Sequence, residues 1–210
     1  MRLFIAATSL LASASVCGTT LDFDDLSPAS GVPLIYEGYV FEGFIDNAPQ
    51  PDWNFPAGVE PYNDGSALSC VPTTNYWLES NCGISMEHSS GDLFSLHSLD
   101  MAYRDLFNGG TSAYASVIGY SASGGLVSAT GFDLEPPLSG GVFEQRSFVF
   151  DSTWTNLARV EFKFQAVNSG GFAAGFVDNI SVTAVPIPAA VWLFGSALAG
   201  LGWMRRKQTV

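Results

Sequence analysis

Four aspartates carry the clearest chemical signal in this 210-residue chain: Asp22, Asp24 and Asp25 in Leu21-Asp-Phe-Asp-Asp25, and Asp178 in Phe176-Val-Asp-Asn-Ile-Ser-Val182. Period-two alternation sets Asp178 beside Phe176, Ile180 and Val182, so its carboxylate is expected on the apolar side of a strand. An unpaired carboxylate there is costly when charged, or else protonated. The alternative is a loop cap that accepts backbone N–H bonds, with Asp22 to Asp25 facing water. A second group is aromatic: Trp53, Phe55, Tyr62, Tyr76 and Trp77 crowd a proline-rich stretch. Exposed ring faces beside Asn or Asp groups suit stacking on sugar rings, and the same residues suit a satellite core under a long loop. Catalytic patterns are weak. His88 and His97 give no i, i+4 metal pair, and Gly119-Tyr-Ser-Ala-Ser-Gly124 lacks the second glycine of a nucleophile elbow, which leaves it as a hairpin end. No carboxylate pair can be singled out without geometry. A binding or scaffolding role is expected, not an enzyme; a polysaccharide hydrolase or lyase is the reading from another class.

The elements that must position these residues alternate at period two. In Arg159-Val-Glu-Phe-Lys-Phe-Gln-Ala166, Val160, Phe162, Phe164 and Ala166 share one face and the charged residues the other, a half-buried antiparallel strand. Similar strands are expected over 20–23, 38–45, 93–101, 115–120, 126–130, 146–150 and 174–183. Gly109-Gly110, Gly124-Gly125, Pro136-Pro137, Gly140-Gly141 and Gly170-Gly171 punctuate the chain as turns. About eight short strands with Gly-rich turns predict an all-β fold, an antiparallel β-sandwich over 19–184. Residues 46–83 do not alternate and hold five prolines, which predicts a long excursion from the sandwich.

Charge excludes several partners. All 20 Asp and Glu lie between Asp22 and Asp178, against Arg104, Arg146, Arg159 and Lys163, a formal charge of −16 for that stretch. Nucleic acid and anionic lipid need clustered cations and are excluded; cations, neutral glycans and proteins are left.

Both ends read as export signals. Met1-Arg2, the apolar run from Leu3 to Leu11 and the small residues to Gly18 form a signal peptide over 1–18, routed through the Sec machinery and signal peptidase. Cys17 raises a lipoprotein alternative that its preceding residues fit poorly. With Cys17 removed, Cys70 and Cys82 remain as an even pair in an oxidising compartment and are expected to be joined; two free thiols or half a metal site are the alternatives. From Ile187 to Met204 runs a stretch of 18 residues without charge, which as a helix spans roughly 27 Å, enough for a thin bilayer core. Arg205, Arg206 and Lys207 follow as a stop on the cytoplasmic side, so the rest faces outward. A buried C-terminal helix is the alternative, but nothing polar interrupts the run to make a wet face.

The tail over 185–210, with Val185-Pro186-Ile187-Pro188-Ala189, the apolar run and Arg205-Arg206-Lys207, resembles the Val-Pro-Leu-Pro-Ala variant of the PEP-CTERM sorting tail, Ile187 standing for Leu. The resemblance implies recognition by an exosortase, a membrane-embedded enzyme that cleaves near the proline motif and releases or re-anchors the exported domain. An inner-membrane intermediate followed by a cell-surface or extracellular location is then expected. Two prolines hold an extended segment that cannot join the helix behind it, which suits a processing site.

The stretches Leu21-Asp-Phe-Asp-Asp25, Tyr39-Val-Phe-Glu-Gly-Phe44, Trp53-Asn-Phe55 and Phe176 to Val182 resemble the jelly-roll domains of exported proteins related to carbohydrate-binding modules. This implies a glycan-binding or matrix-scaffold role, with Trp53, Tyr62, Tyr76 and Trp77 as candidate sugar contacts. It also implies a structural Ca²⁺ held by Asp178 with Asp22, Asp24 or Asp25, completed by backbone carbonyls.

Overall fold

A computed structural model describes residues 18–26, 29–30, 33–46, 54–55, 58–62, 65–70, 81–105, 113–134, 145–166 and 173–185. Residues 1–17 of the signal peptide, 186–189 of the sorting motif, the apolar run 187–204, the stop sequence, Trp53, Tyr76 and Trp77 lie outside them, whereas Gly18 and Val185 are described. Every regular element among the described residues is a strand. These are β1 (Gly18–Leu21), β2 (Ala29–Ser30), β3 (Leu34–Tyr36), β4 (Tyr39–Asp46), β5 (Asn54–Phe55), β6 (Gly58–Tyr62) and β7 (Gly65–Cys70). The second half supplies β8 (Asn81–His88), β9 (Phe94–Asp105), β10 (Ala113–Tyr120), β11 (Leu126–Leu134), β12 (Arg146–Val149), β13 (Arg159–Ala166) and β14 (Ala173–Ala184).

They form two antiparallel sheets of seven strands each. The first runs β12-β9-β14-β7-β6-β2, with β1 also on β14; the second runs β11-β10-β13-β8-β4-β3, with β5 also on β4. Alternation drives the packing between them. On β13, Val160, Phe162 and Phe164 are buried against Phe41, Ile84, Met86 and Val117, and from the facing sheet come Leu68, Met101, Val177 and Ile180. Each such side chain contributes about 1.5–3 kcal/mol by leaving water.

The stretch 46–83 differs from the excursion its sequence predicts. β6 and β7 pair within the first sheet and β5 within the second, and on β7 Ala67, Leu68 and Cys70 are buried without clean alternation. Strands buried on both faces lose the polar half of the pattern. Cys70 and Cys82 are disulfide-bonded, with Cα atoms 5.9 Å apart, and so tie β7 in one sheet to β8 in the other. The Gly119–Gly124 stretch closes the β10–β11 hairpin: Ser121 N–H donates to Gly125 O, and Gly124 takes φ 79°.

Candidate functional site

The outward face of the second sheet is built by residues that alternate with the core. On β13 these are Arg159, Glu161 and Lys163; on β10 they are Tyr114, Ser116, Ile118 and Tyr120. Glu161 is their hub. It lies 2.7 Å from Arg159 and 3.4 Å from Lys163 and accepts the Tyr120 hydroxyl at 2.9 Å, and it is only 8% exposed. The Arg159 guanidinium stacks on the Tyr120 ring at 4.7 Å. Burial, then the bond to Glu161, raises the Tyr120 phenol above its ordinary range, so it stays a donor.

Two rings lie down on this face, and in each case a glycine permits it. Phe44 on β4 crosses onto its strand partner Gly83 on β8, where any Cβ would run into its Cζ; Lys163 Nζ sits 5.5 Å from its centroid. Tyr114 on β10 reaches across β11 at Gly131, where a Cβ would collide with the phenol oxygen. Tyr114 is 40% exposed, so its ring is accessible to solvent. The line from Tyr114 to Tyr120 on β10 is about 20 Å long. The exposed Tyr114 ring, the Ser116 hydroxyl and the neutralised cluster around Glu161 are groups that can stack on and hydrogen-bond a sugar chain. This face was not among the site residues expected from the sequence. The small residues Gly83 and Gly131 opposite aromatic strands are the signal that marks it, and it needs the register to be read.

The predicted aspartates go to different partners. Asp22 Oδ1 accepts the Tyr36 hydroxyl at 3.1 Å, and Asp25 shares in binding that phenol, whose pKa is raised by burial first and by these two carboxylates next. Asp24 Oδ1 accepts Ser66 N–H at 3.0 Å and so ties the turn after β1 to the start of β7. Asp178 is 8% exposed, but not where alternation expects it. Asn179 takes φ 49° and the β14–β9 register slips there, so Ile180 and Val182 join Val177 in the core, while Asp178 keeps the outward side opposite Asp100. A bulge inserts one residue and exchanges the faces beyond it. Asp178 Oδ1 accepts Asn179 N–H at 2.7 Å. Burial pushes the Asp178 carboxyl up to about 7; that bond opposes the shift, and Asp24, Asp100 and Asp22 add to it.

Chemically this is a hard-cation environment: a buried carboxylate in the field of three others. In number it falls short, because among the described residues no three His, Cys, Asp or Glu side chains converge as a metal-binding group. Asp100, Asn179 and Gln145, whose amide donates to Asp100, are members of the cluster that sequence analysis missed. His88 bonds Ser90 and His97 bonds Thr183, each in a local structural role. Tyr62 lies on β6, with no described side-chain environment.

No family model matches the chain, and no curated protein matches it. Solved structures do. A DUF4465 family protein from Bacteroides caccae shares 11% identity over 80% of this chain and 100% of that one, with a TM-score of 0.43. A carbohydrate-binding module of family 28, specific for non-crystalline cellulose, shares 13% over 61% and 82%, with a TM-score of 0.42. The CBM22-1 xylan-binding domain of Paenibacillus barcinonensis Xyn10C shares 10% over 84% and 99%, with a TM-score of 0.39. Likeness at this level says nothing about a ligand of this chain.

Proposed function

We propose that this chain is an exported, non-catalytic envelope protein whose sandwich binds neutral glycan in the cell-surface or exopolysaccharide matrix. Its leader and its proline-motif tail support delivery by the Sec machinery and processing by an exosortase. The inter-sheet disulfide supports an oxidising destination. The observation that carries the binding reading is Tyr114 laid across Gly131 on a face whose cations are held by Glu161. Such a face offers stacking and hydrogen bonds without free positive charge, which favours neutral over acidic polysaccharide. A structural Ca²⁺ beside Asp178 belongs to the same proposal. With too few converging carboxylates, backbone carbonyls would complete its shell.

The test is electrophoresis of the full chain, in a sugar-free detergent, through gels cast with xylan, β-glucan, galactan or polygalacturonate. Retardation by a neutral polymer is expected. Retardation by polygalacturonate alone, or by none, refutes the reading.

A further inference from the structure

Away from the platform, the sandwich opens at one side, where β11 ends the second sheet and β12 ends the first. A cavity of about 300 Å³ lies between them. Rings supply its apolar lining: half-buried Phe132 on β11 meets half-buried Phe148 on β12 at 3.7 Å, and half-buried Phe150 packs on the buried Trp154 at 4.6 Å. Among the other lining residues runs a chain of hydrogen bonds. Ser128 Oγ lies 3.4 Å from Thr153 Oγ1, and the Thr153 hydroxyl and N–H both donate to Asp151 Oδ1. Those two bonds hold the Asp151 carboxyl below its ordinary value, so it is charged. Among the described residues nothing bonds Asp151 Oδ2. With the Thr153 proton committed to Asp151, these groups present acceptors.

A cavity lined by both acceptors and aromatic rings suits a ligand with several donors and an apolar face. A carboxylate or phosphate is repelled by Asp151 and by the −16 domain. A cavity at the small end of ligand sites takes a short occupant, not a crossing chain. We infer that the cleft between β11 and β12 binds the terminal residue of a neutral sugar chain, stacked on Phe148 and Phe150 and hydrogen-bonded to Asp151 Oδ2 and the Thr153 and Ser128 hydroxyls. This rests on the glycan-binding reading and adds a second, end-on site to it.

Amide NMR spectra of the full chain, in sugar-free detergent, test it with the methyl glycosides of glucose, galactose, mannose and xylose, and with choline as the cationic competitor. At least one glycoside should shift residues 128–132 and 148–154 saturably, with Asp151→Asn and Phe148→Ala each weakening it roughly tenfold. Thr153→Val is the milder variant should either of these lose its dispersed spectrum, and it should weaken binding in the same direction. Shifts with choline only, shifts unchanged by the substitutions, or no shift at all overturn the inference. Tyr114→Ala separates the two sites: it should abolish retention by polymer and leave the cleft shifts intact. Polymer retention without cleft shifts would sink the end-on site alone; loss of both in the unaltered chain would sink the glycan reading.

Discussion

Asp178 and Asp100 stand directly opposite each other on β14 and β9, and the side-chain amide of Asn179 donates to both carboxylates, at 3.4 and 2.9 Å. Burial first, and then the like charges of Asp24, Asp100 and Asp22, raise the Asp178 carboxyl above its ordinary value.

Stability should therefore depend on pH through Asp178. Its folded pKa of about 7 lies above the ordinary 3.8, so the folded protein binds the proton more tightly than the unfolded chain does. The stabilisation is complete below about pH 4 and is lost as pH rises through 7. Asp178→Asn removes the titration, so its melting temperature should exceed that of the unaltered protein by several degrees above pH 7 and converge with it in acid. A gap that stays constant from pH 4 to 8 would contradict this assignment.

At the proposed calcium site, Ca²⁺ would compete with the proton for the Asp178 carboxylate. Above pH 7, Ca²⁺ at a hundred times its dissociation constant should add roughly 2.7 kcal/mol to the unaltered protein. Mg²⁺ should add less, because its small octahedral shell suits carbonyl-rich sites poorly. Equal shifts for both ions that survive Asp178→Asn would leave only general screening of a −16 domain.

Strand positions were legible from period-two alternation and the turn residues between the runs: all eight expected strands lie within a few residues of β1, β4, β9, β10, β11, β12, β13 and β14. β7 was not, since Ala67, Leu68, Ser69 and Cys70 are buried without alternating. The buried Asp178 was legible as a cost, whereas its face was not, because a one-residue bulge at Asn179 leaves no mark in hydrophobic periodicity. The platform rests on Gly131 lying under Tyr114, a diagonal neighbour on another strand. Only register supplies such a relation.

The disulfide joins the two sheets across a sequence separation of 12. Reduction, or Cys82→Ser, should cost about 3 kcal/mol through loop-closure entropy in the unfolded chain. Denaturant unfolding with and without reductant measures it; coincident midpoints would show that packing alone fixes the sheets.

The tail makes its own prediction. In a host with an exosortase, intact-mass analysis of the mature protein should find no residue beyond about Ala189. Lys207 still attached in such a host would mean a permanently anchored protein.

The central claim is that Tyr114 lies flat as a sugar platform because residue 131 is glycine. Retardation of the full chain in neutral-polysaccharide gels, compared across Tyr114→Phe, Tyr114→Ala and Gly131→Val, tests it most directly. The account predicts retention by the Phe variant, which keeps the ring, and loss in both the Ala variant, which removes it, and the Val variant, which props it off the sheet. Unaltered retardation in Tyr114→Ala and Gly131→Val, with both variants folded, would contradict it.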